Sequence, residues 1–193
     1  PHLASSAASD VYKRQQYQFP LVSNEERMRF VLKLTLQNIE KITGGPFGAA
    51  VFERESGQLV SVGVNVVLKQ GCSAAHAEMM AIMLAQQELG THDLSVAELP
   101  EFQLVTSGKM CAMCLGSVVW SGVREVLASA QPEDVENIVG FDEGPAPTDY
   151  DQQLEKRGIS IIPSFLREEG CEVLQRYVAV SYTHLRAHET TSH

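Results

Sequence analysis

The sequence AAHAEMMAIMLAQQELG, residues 74–90, contains the helix on which the fold prediction is built. Its apolar residues recur at helical spacing, so we predict a helix from about Ala74 to Glu88. Ser73 before it and Gly90 after it are residue types typical of helix caps. The prediction therefore places His76 and Glu78 in the first turn of a helix.

The sequence FQLVTSGKMCAMCLG, residues 102–116, predicts a strand at Phe102–Thr106 and then a helix that opens near Met110. Cys111 and Cys114 are one helical turn apart and therefore lie on one face. The amino-terminal end of a helix favours negative charge, which lowers the pKa of thiols placed there. The second helix thus offers two thiolates to one metal ion.

The rest of the hydrophobic pattern predicts a β-hairpin followed by alternating helices and strands. A first helix is predicted to begin at Asn24 and end at Gly44-Gly45-Pro46, since Met28, Val31, Leu32, Leu36 and Ile39 recur at helical spacing. The further elements are strands at 47–54 and 59–67, a strand at 123–128, a helix after Pro132, a strand at 159–162 and a helix at 166–177. This order implies an α/β sandwich with a mixed sheet.

His76, Cys111 and Cys114 are the predicted ligands of one zinc ion. Two soft thiolates and an imidazole suit zinc, and three protein ligands with a fourth position for water are typical of a catalytic site. Glu78 lies two residues beyond His76, where its carboxylate can accept and return a proton. Taken separately, His76 is more often a structural or surface histidine, and a lone C-x-x-C is often a redox pair or half of a structural zinc site. The combination favours catalytic zinc.

Composition narrows the class of partner. The 15 basic and 24 acidic residues give a net charge of −9, which would repel a nucleic acid and favours a small neutral substrate. No apolar run approaches the ~20 residues of a membrane span, and no secretory signal is visible, so no membrane partner is expected. Four cysteines are too few for a disulfide scaffold, which indicates a reduced, cytoplasmic protein.

The two ends of the sequence are set apart from the fold prediction. Residues 1–15 and 181–193 have no hydrophobic period and resemble translated adapter sequence. We expect them to be non-native segments or disordered tails. The domain is therefore predicted to span residues 16–180.

The zinc pattern resembles that of the cytidine/deoxycytidylate deaminase superfamily, whose signature is H-x-E…P-C-x-x-C. Further stretches are similar to its guanine deaminase-like branch: residues 44–49 (GGPFGA), 63–65 (GVN), 76–78 (HAE), 90–95 (GTHDLS) and 141–145 (FDEGP). The resemblance implies a three-layer α-β-α sandwich with a mixed five-stranded sheet, one zinc ion per subunit and a homodimer that in this branch commonly exchanges its C-terminal segment. Tyr177 is a candidate for a partner's residue at the site.

The resemblance also implies residues that contact a heterocyclic substrate. Asn65 would hydrogen-bond the ring, Phe47 would pack on it, and the Ala77 backbone would contact the base edge. An acid, Asp142 or Glu143, would accept from the N1–H and 2-amino group of guanine. Trp120, six residues after Cys114, is assigned to ring stacking or a dimer contact.

Each of these substrate contacts has a simpler interpretation. Phe47 and Trp120 are residue types common in cores, Asn65 is common in turns, and Asp142-Glu143 is typical of a solvent loop. One departure from the family pattern lies beside the first cysteine, where the family has Glu-Pro and this chain has Lys109-Met110. The change removes a rigid proline from the helix start and places a base where the family has an acid.

The function predicted from these residues is zinc-dependent hydrolytic deamination of guanine, or of a related aminated purine or triazine. One alternative is a deaminase of cytidine, a nucleotide or adenosine in transfer RNA. Another is a catalytically silent zinc-binding homologue, suggested by Lys109-Met110.

Overall fold

The computed structural model describes residues 20–190, and the side chains of residues 20–181. The helices are α1 (Asn24–Glu40), α2 (Val67–Gln70), α3 (Ala77–Leu89), α4 (Ala112–Ser121), α5 (Pro132–Val139), α6 (Tyr150–Glu155) and α7 (Arg167–Thr190). The strands are β1 (Gly48–Glu53), β2 (Leu59–Val64), β3 (Phe102–Gly108), β4 (Glu125–Ala130) and β5 (Ser160–Ile162).

The five strands form one mixed sheet in the order β2-β1-β3-β4-β5. The hairpin strands β1 and β2 pair antiparallel, and β1 pairs antiparallel with β3. Strands β3, β4 and β5 run parallel, because a helix connects each one to the next. The predicted mixed five-stranded sheet is confirmed.

Alternation along the strands divides the core into two layers, one on each face of the sheet. Ala49 and Val51 of β1 face a cluster that includes α3 and α4, whereas Ala50 and Phe52 face a cluster that includes α1 and α7. Both clusters are closed to solvent, and these four residues of β1 are fully buried. A sheet covered by helices on both faces is the predicted three-layer sandwich.

The helix that carries His76 begins later than predicted. The N-cap of α3 is His76 and not the predicted Ser73, so Ala74 and Ala75 lie outside the helix. The reason is local pairing: the Val66 N–H donates to the Ala75 carbonyl, and the Ala75 N–H donates to the Cys72 carbonyl. Gly90 ends α3 in the left-handed conformation, as predicted.

Several other boundaries differ from the sequence prediction. Helix α1 begins at Asn24 as predicted, after the N-cap Ser23, which forms a capping box with Glu26, but it ends at Glu40, before the predicted stop at Gly44. The second strand ends at Val64, and the short helix α2 follows it. Helix α6 was not predicted, since its six residues show too little hydrophobic period.

The structure describes part of the C-terminal segment that was set apart, but not the N-terminal one. The prediction for residues 1–15 lies outside the described residues. Helix α7 continues through residue 190, beyond the predicted end near residue 177 and into the C-terminal segment that was set apart. The domain boundary at residue 180 stays a prediction. Among the described helices, none is both long enough and apolar enough to cross a membrane.

Candidate active site

His76, Cys111 and Cys114 come together at the first turns of two neighbouring helices. His76 is the N-cap of α3 and Cys111 is the N-cap of α4, so both precede helices that pack on the same face of the sheet. The Nδ1 atom of His76 lies 3.5 Å from the Cys111 sulfur and 3.6 Å from the Cys114 sulfur. The three ligand atoms all lie within 4.8 Å of one another.

This spacing fits a zinc ion. With zinc–sulfur and zinc–nitrogen bonds of about 2.3 and about 2.0 Å, tetrahedral ligation separates the two ligand atoms by roughly 3.5 Å. The imidazole would bind through Nδ1, the nitrogen that faces both sulfurs. Three ligands leave one tetrahedral position for a further oxygen ligand, and Glu78 is on the same helix as His76. The structure therefore brings the three predicted ligands together as a group that could hold one metal ion.

The two thiols are electrostatically coupled. The Cys111 sulfur accepts from the Cys114 thiol, and this bond together with the nearby His76 lowers the pKa of Cys111 to about 4. The same bond raises the pKa of Cys114. Cys111 is therefore the more acidic of the two thiols. Its hydrogen bond in turn raises the pKa of His76.

Glu78 is a buried carboxylate in direct contact with the ligand group. Its Oε2 lies 3.5 Å from the Cys114 sulfur, and its Oε1 lies 3.3 Å from the Thr106 hydroxyl on β3. The side chain is almost completely buried, and this burial raises the pKa of Glu78 above its ordinary value. A carboxyl group with a raised pKa binds and releases a proton more readily near neutral pH.

A cavity of about 500 Å³ opens above this group. Seven of the predicted site residues line it: Phe47, Asn65, His76, Glu78, Cys111, Asp142 and Glu143. The lining residues that were not assigned to the substrate from the sequence are Gly45, Val67, Leu68, Lys109, Gly140, Phe141 and Tyr177. The strand ends and loops that carry these residues meet at the carboxyl edge of β3, where ligands commonly bind in α/β sheets.

Three aromatic rings form one side of the cavity. The ring centroids of Phe47 and Phe141 lie 6.2 Å apart, and those of Phe141 and Tyr177 lie 6.0 Å apart. Phe141 was only quoted as part of a motif, and Tyr177 was considered as a residue of a partner. In this structure Tyr177 reaches the cavity of its own chain, from helix α7. The rings are inclined to one another by 45° and 60°, and together they offer aromatic packing surface to a flat heterocycle.

The two acidic candidates have different environments. The Asp142 carboxylate accepts from the Gly144 N–H at 2.8 Å and so closes its own loop. The Glu143 side chain has no such bond, and burial beside Cys111 raises its pKa to about 7. The Glu143 carbonyl accepts from the Ala112 N–H at 3.1 Å, which ties this loop to the first turn of α4. Of the two acids, Glu143 is therefore the one whose carboxylate is not used to close its own loop.

Asn65 lies directly after β2, against the glycine pair that precedes β1. Its backbone N–H donates to the Phe47 carbonyl at 3.0 Å, and its Oδ1 accepts from the Val67 N–H at 3.3 Å. A Cβ at Gly44 would lie 1.7 Å from the Asn65 carbonyl oxygen, so only glycine fits there. Asn65 therefore both stabilises a turn, through its bond to Val67, and lines the cavity.

Two predicted substrate contacts do not lie in the cavity wall. Ala77, in the first turn of α3, is completely buried, and Trp120 on α4 is 84% exposed. Of the described residues, neither is among those that line the cavity. The ring-stacking role predicted for Trp120 gains no support, whereas its exposure suits the alternative role in a contact between chains.

Lys109 lines the cavity and is held in place by two neighbouring residues. Its ammonium lies 2.7 Å from the Asp151 carboxylate and 4.5 Å from the centroid of the Tyr150 ring. Its side chain is 13% exposed. Met110 is buried in the same cluster as Cys114. The unpredicted helix α6 thus supplies the partners of the residue that departs from the family pattern.

Residues 22–130 match the family described as the cytidine and deoxycytidylate deaminase zinc-binding region. The chain belongs to this deaminase family. Three relatives give the family likeness more detail. A solved guanine deaminase from Nitrosomonas europaea is 45% identical, with a TM-score of 0.86, over 93% of this chain and 96% of that one.

A second solved structure, that of NE0047 in complex with 2,6-diaminopurine, is 46% identical over 92% of both chains, with a TM-score of 0.85. The guanine deaminase of Bacillus subtilis (strain 168) is 29% identical over 147 residues, which cover 76% of this chain and 89% of that protein. The resemblance to the guanine deaminase-like branch is thereby confirmed.

Proposed function

We propose that this deaminase-family chain hydrolyses the amino group of guanine, or of a closely related aminated purine, to give the oxo product and ammonia. The observation that carries the proposal is the contact of the buried Glu78 carboxylate with the His76, Cys111 and Cys114 group on the floor of a cavity. The solved relatives are guanine deaminase and a complex with an aminated purine, which supports the choice of substrate.

Zinc, when bound by these three side chains, supplies the Lewis acid that makes water a nucleophile near neutral pH. Glu78 takes a proton from the water as its oxygen bonds to the amine-bearing carbon. Glu78 then gives this proton to the ring nitrogen, takes the remaining proton of the attacking oxygen and delivers it to the departing amine. The carbon–nitrogen bond breaks and ammonia leaves, so that one water is consumed for each ammonia released.

The walls of the cavity orient the base for this attack. Phe47 and Phe141 offer ring faces to a planar heterocycle, and Asn65 offers an amide to its ring nitrogens. Glu143 accepts from the adjacent N–H donors of guanine. Cytosine lacks this paired donor edge, so the position of Glu143 favours a purine over a pyrimidine.

The test is ammonia release from guanine by zinc-loaded protein, followed together with the purine absorbance. Glu78→Gln should lower kcat by at least about 10³-fold, because Gln keeps the shape but cannot carry the proton. Its zinc content should stay at one per chain. The matched control is Glu88→Gln on the exposed side of the same helix, which should retain full activity. Turnover of cytidine but not guanine, or an active Glu78→Gln, would overturn the proposal.

A homodimer and a cytoplasmic location belong to the same proposal. Helix α4 contains no charged residue, and Met113 and Trp120 are exposed on it, which supports a contact between two chains. Tyr177 already closes the cavity within one chain, so exchange of the C-terminal segment is not required for a complete site. All four cysteines are free thiols, in keeping with a reducing compartment. Sedimentation of Trp120→Glu as a monomer, against a dimeric wild type, tests the contact.

A further inference from the structure

One side-chain amide, that of Asn38, joins two walls of the cavity without lining it. Asn38 lies near the end of α1 and is 1% exposed. Its Nδ2 group donates to the Gly45 carbonyl at 2.9 Å and to the Asn65 carbonyl at 3.1 Å. Both amide hydrogens are therefore used to connect two segments that the chain brings to the site separately.

The orientation of this amide is fixed from its other end. The Thr43 hydroxyl donates to Asn38 Oδ1, and the Thr43 N–H donates to the Asn38 carbonyl at 3.1 Å. Because Oδ1 accepts, Nδ2 must point toward the two carbonyls. A buried amide with its hydrogen bonds satisfied has one stable orientation, so the distance between the two walls is set by its geometry.

The glycine pair Gly44-Gly45 packs directly against Asn65. A Cβ at Gly44 would lie 1.7 Å from the Asn65 carbonyl oxygen, and one at Gly45 would lie 3.2 Å from the Asn65 Cγ and Oδ1. Asn38 Nδ2 is the donor to the Asn65 carbonyl among the described residues. Without it, this part-buried carbonyl would have to move toward water, and the Asn65 side chain would move with it.

We propose that Asn38 is a positioning residue for substrate binding, acting through Asn65. It holds the Asn65 amide at a fixed place in the cavity wall while having no contact with the substrate. The inference rests on the proposed function, in which Asn65 binds the heterocycle. It assigns a binding role to a residue of α1, a helix that otherwise packs on the face of the sheet away from the zinc ligands.

A double-mutant cycle on KM for guanine separates this role from a general effect on folding. Asn38→Leu has a similar size but donates to neither carbonyl, and it should raise KM about tenfold with one zinc per chain retained. In an Asn65→Ala background the same change should raise KM less than about twofold, since the group it positions is gone. The control is Thr35→Val, which removes a buried hydroxyl bond to Val31 in the same helix and should lower Tm without changing KM.

Equal KM values for wild type and Asn38→Leu, or equal effects of Asn38→Leu in both backgrounds, would overturn the inference. If Asn38→Leu does not fold, Asn38→Ser replaces it: Ser keeps one donor, should give a smaller rise in KM and should show the same dependence on Asn65. A wild-type protein that releases no ammonia from any purine would refute the proposed function, a result that is distinct from unchanged KM in an active enzyme.

Discussion

Gly63 of β2 lies against the Ala77 carbonyl, at the first turn of the helix that carries His76 and Glu78. A Cβ at position 63 would lie 2.1 Å from that oxygen and 2.5 Å from the Ala81 nitrogen. The absence of a side chain at Gly63 therefore sets how closely α3 approaches the sheet. Since His76 is the N-cap of α3, this contact also sets the position of a zinc ligand.

Gly63→Ala should displace α3 and weaken zinc binding. Both close contacts are with backbone atoms, so no flexible side chain can move aside, and we expect a loss of about 1–3 kcal/mol in stability. A chelator competition titration and thermal unfolding measure the two effects. The control is Gly116→Ala, whose Cβ would meet nothing within 4 Å and which should be neutral or stabilising by up to about 1 kcal/mol. Unchanged zinc affinity in Gly63→Ala would contradict this account.

Cys114→Ser should abolish stoichiometric zinc binding. Loss of a partner that only orients a ligand typically costs 10–100-fold in metal affinity, so loss of a ligand should cost more than about 100-fold. Metal analysis after dialysis measures the zinc content per chain. Cys72→Ser, at an exposed thiol, should keep one zinc and serves as the control. A Cys114→Ser protein that still holds one zinc would exclude this ligand set.

Glu143→Gln should stabilise the metal-free protein, and the gain should depend on pH. Folding raises the pKa of Glu143 from 4.5 to about 7, so the unfolded chain loses this proton at lower pH than the folded one. The stability that the neutral carboxyl contributes is present below about pH 4.5 and is lost as pH rises through about 7. The Tm difference between Glu143→Gln and wild type should therefore grow over this range and stay level above it. A difference that does not change with pH would show that the carboxyl is not buried in this way.

Lys109 and Asp151 should be coupled in a charge-exchange experiment. Lys109→Glu places two carboxylates together and should destabilise the fold, whereas the double variant Lys109→Glu with Asp151→Lys should recover part of the loss. Asp151 is 41% exposed, so solvent screens the pair and we expect a coupling of about 0.5–1 kcal/mol. Urea unfolding of the four proteins measures the coupling. Additive effects of the two changes would mean that the ion pair contributes nothing.

Arg27→Met should be among the most destabilising substitutions outside the site. The Arg27 guanidinium is 2% exposed and donates to Gln103 and to the carbonyls of Leu21, Val22 and Arg54. Met fills the volume but leaves these acceptors without a donor, at an expected cost of about 3–5 kcal/mol. Urea unfolding tests it, with the exposed Arg29→Met as the control, expected within about 1 kcal/mol of wild type. A loss below about 1 kcal/mol in Arg27→Met would mean that the network is replaceable.

The candidate zinc ligands and the carboxylate of Glu78 could be predicted from the sequence because the His-x-Glu and Cys-x-x-Cys patterns have characteristic spacings. The sandwich followed from hydrophobic periods, which report burial directly. Phe141 and Tyr177 could not be assigned to the cavity in this way, since a single aromatic residue shows no periodic pattern that would locate its side chain. Asn38 could not be predicted for a related reason. Its side chain bonds to backbone carbonyls, and every residue has one, so the sequence does not show which carbonyls it reaches.

The start of α3 illustrates a second limit of sequence prediction. Ser73 has the side chain of a good cap, yet His76 holds the cap position, because pairing between Val66 and Ala75 draws the preceding residues into a turn. Local preference was overridden by a contact made elsewhere in the chain. Helix α6 was missed because its six residues show too little hydrophobic period, and the Lys109–Asp151 pair was missed with it.

The bond between the Ala112 N–H and the Glu143 carbonyl has a consequence for redesign of the enzyme. It joins the loop to α4 through main-chain atoms alone, so a change of side chain at position 143 leaves both its donor and its acceptor in place. The side chain at position 143 can thus be exchanged while the backbone of its loop keeps its position relative to the metal-binding helix α4. Libraries that vary this one position should yield folded, metal-binding proteins with new preferences among flat heterocycles.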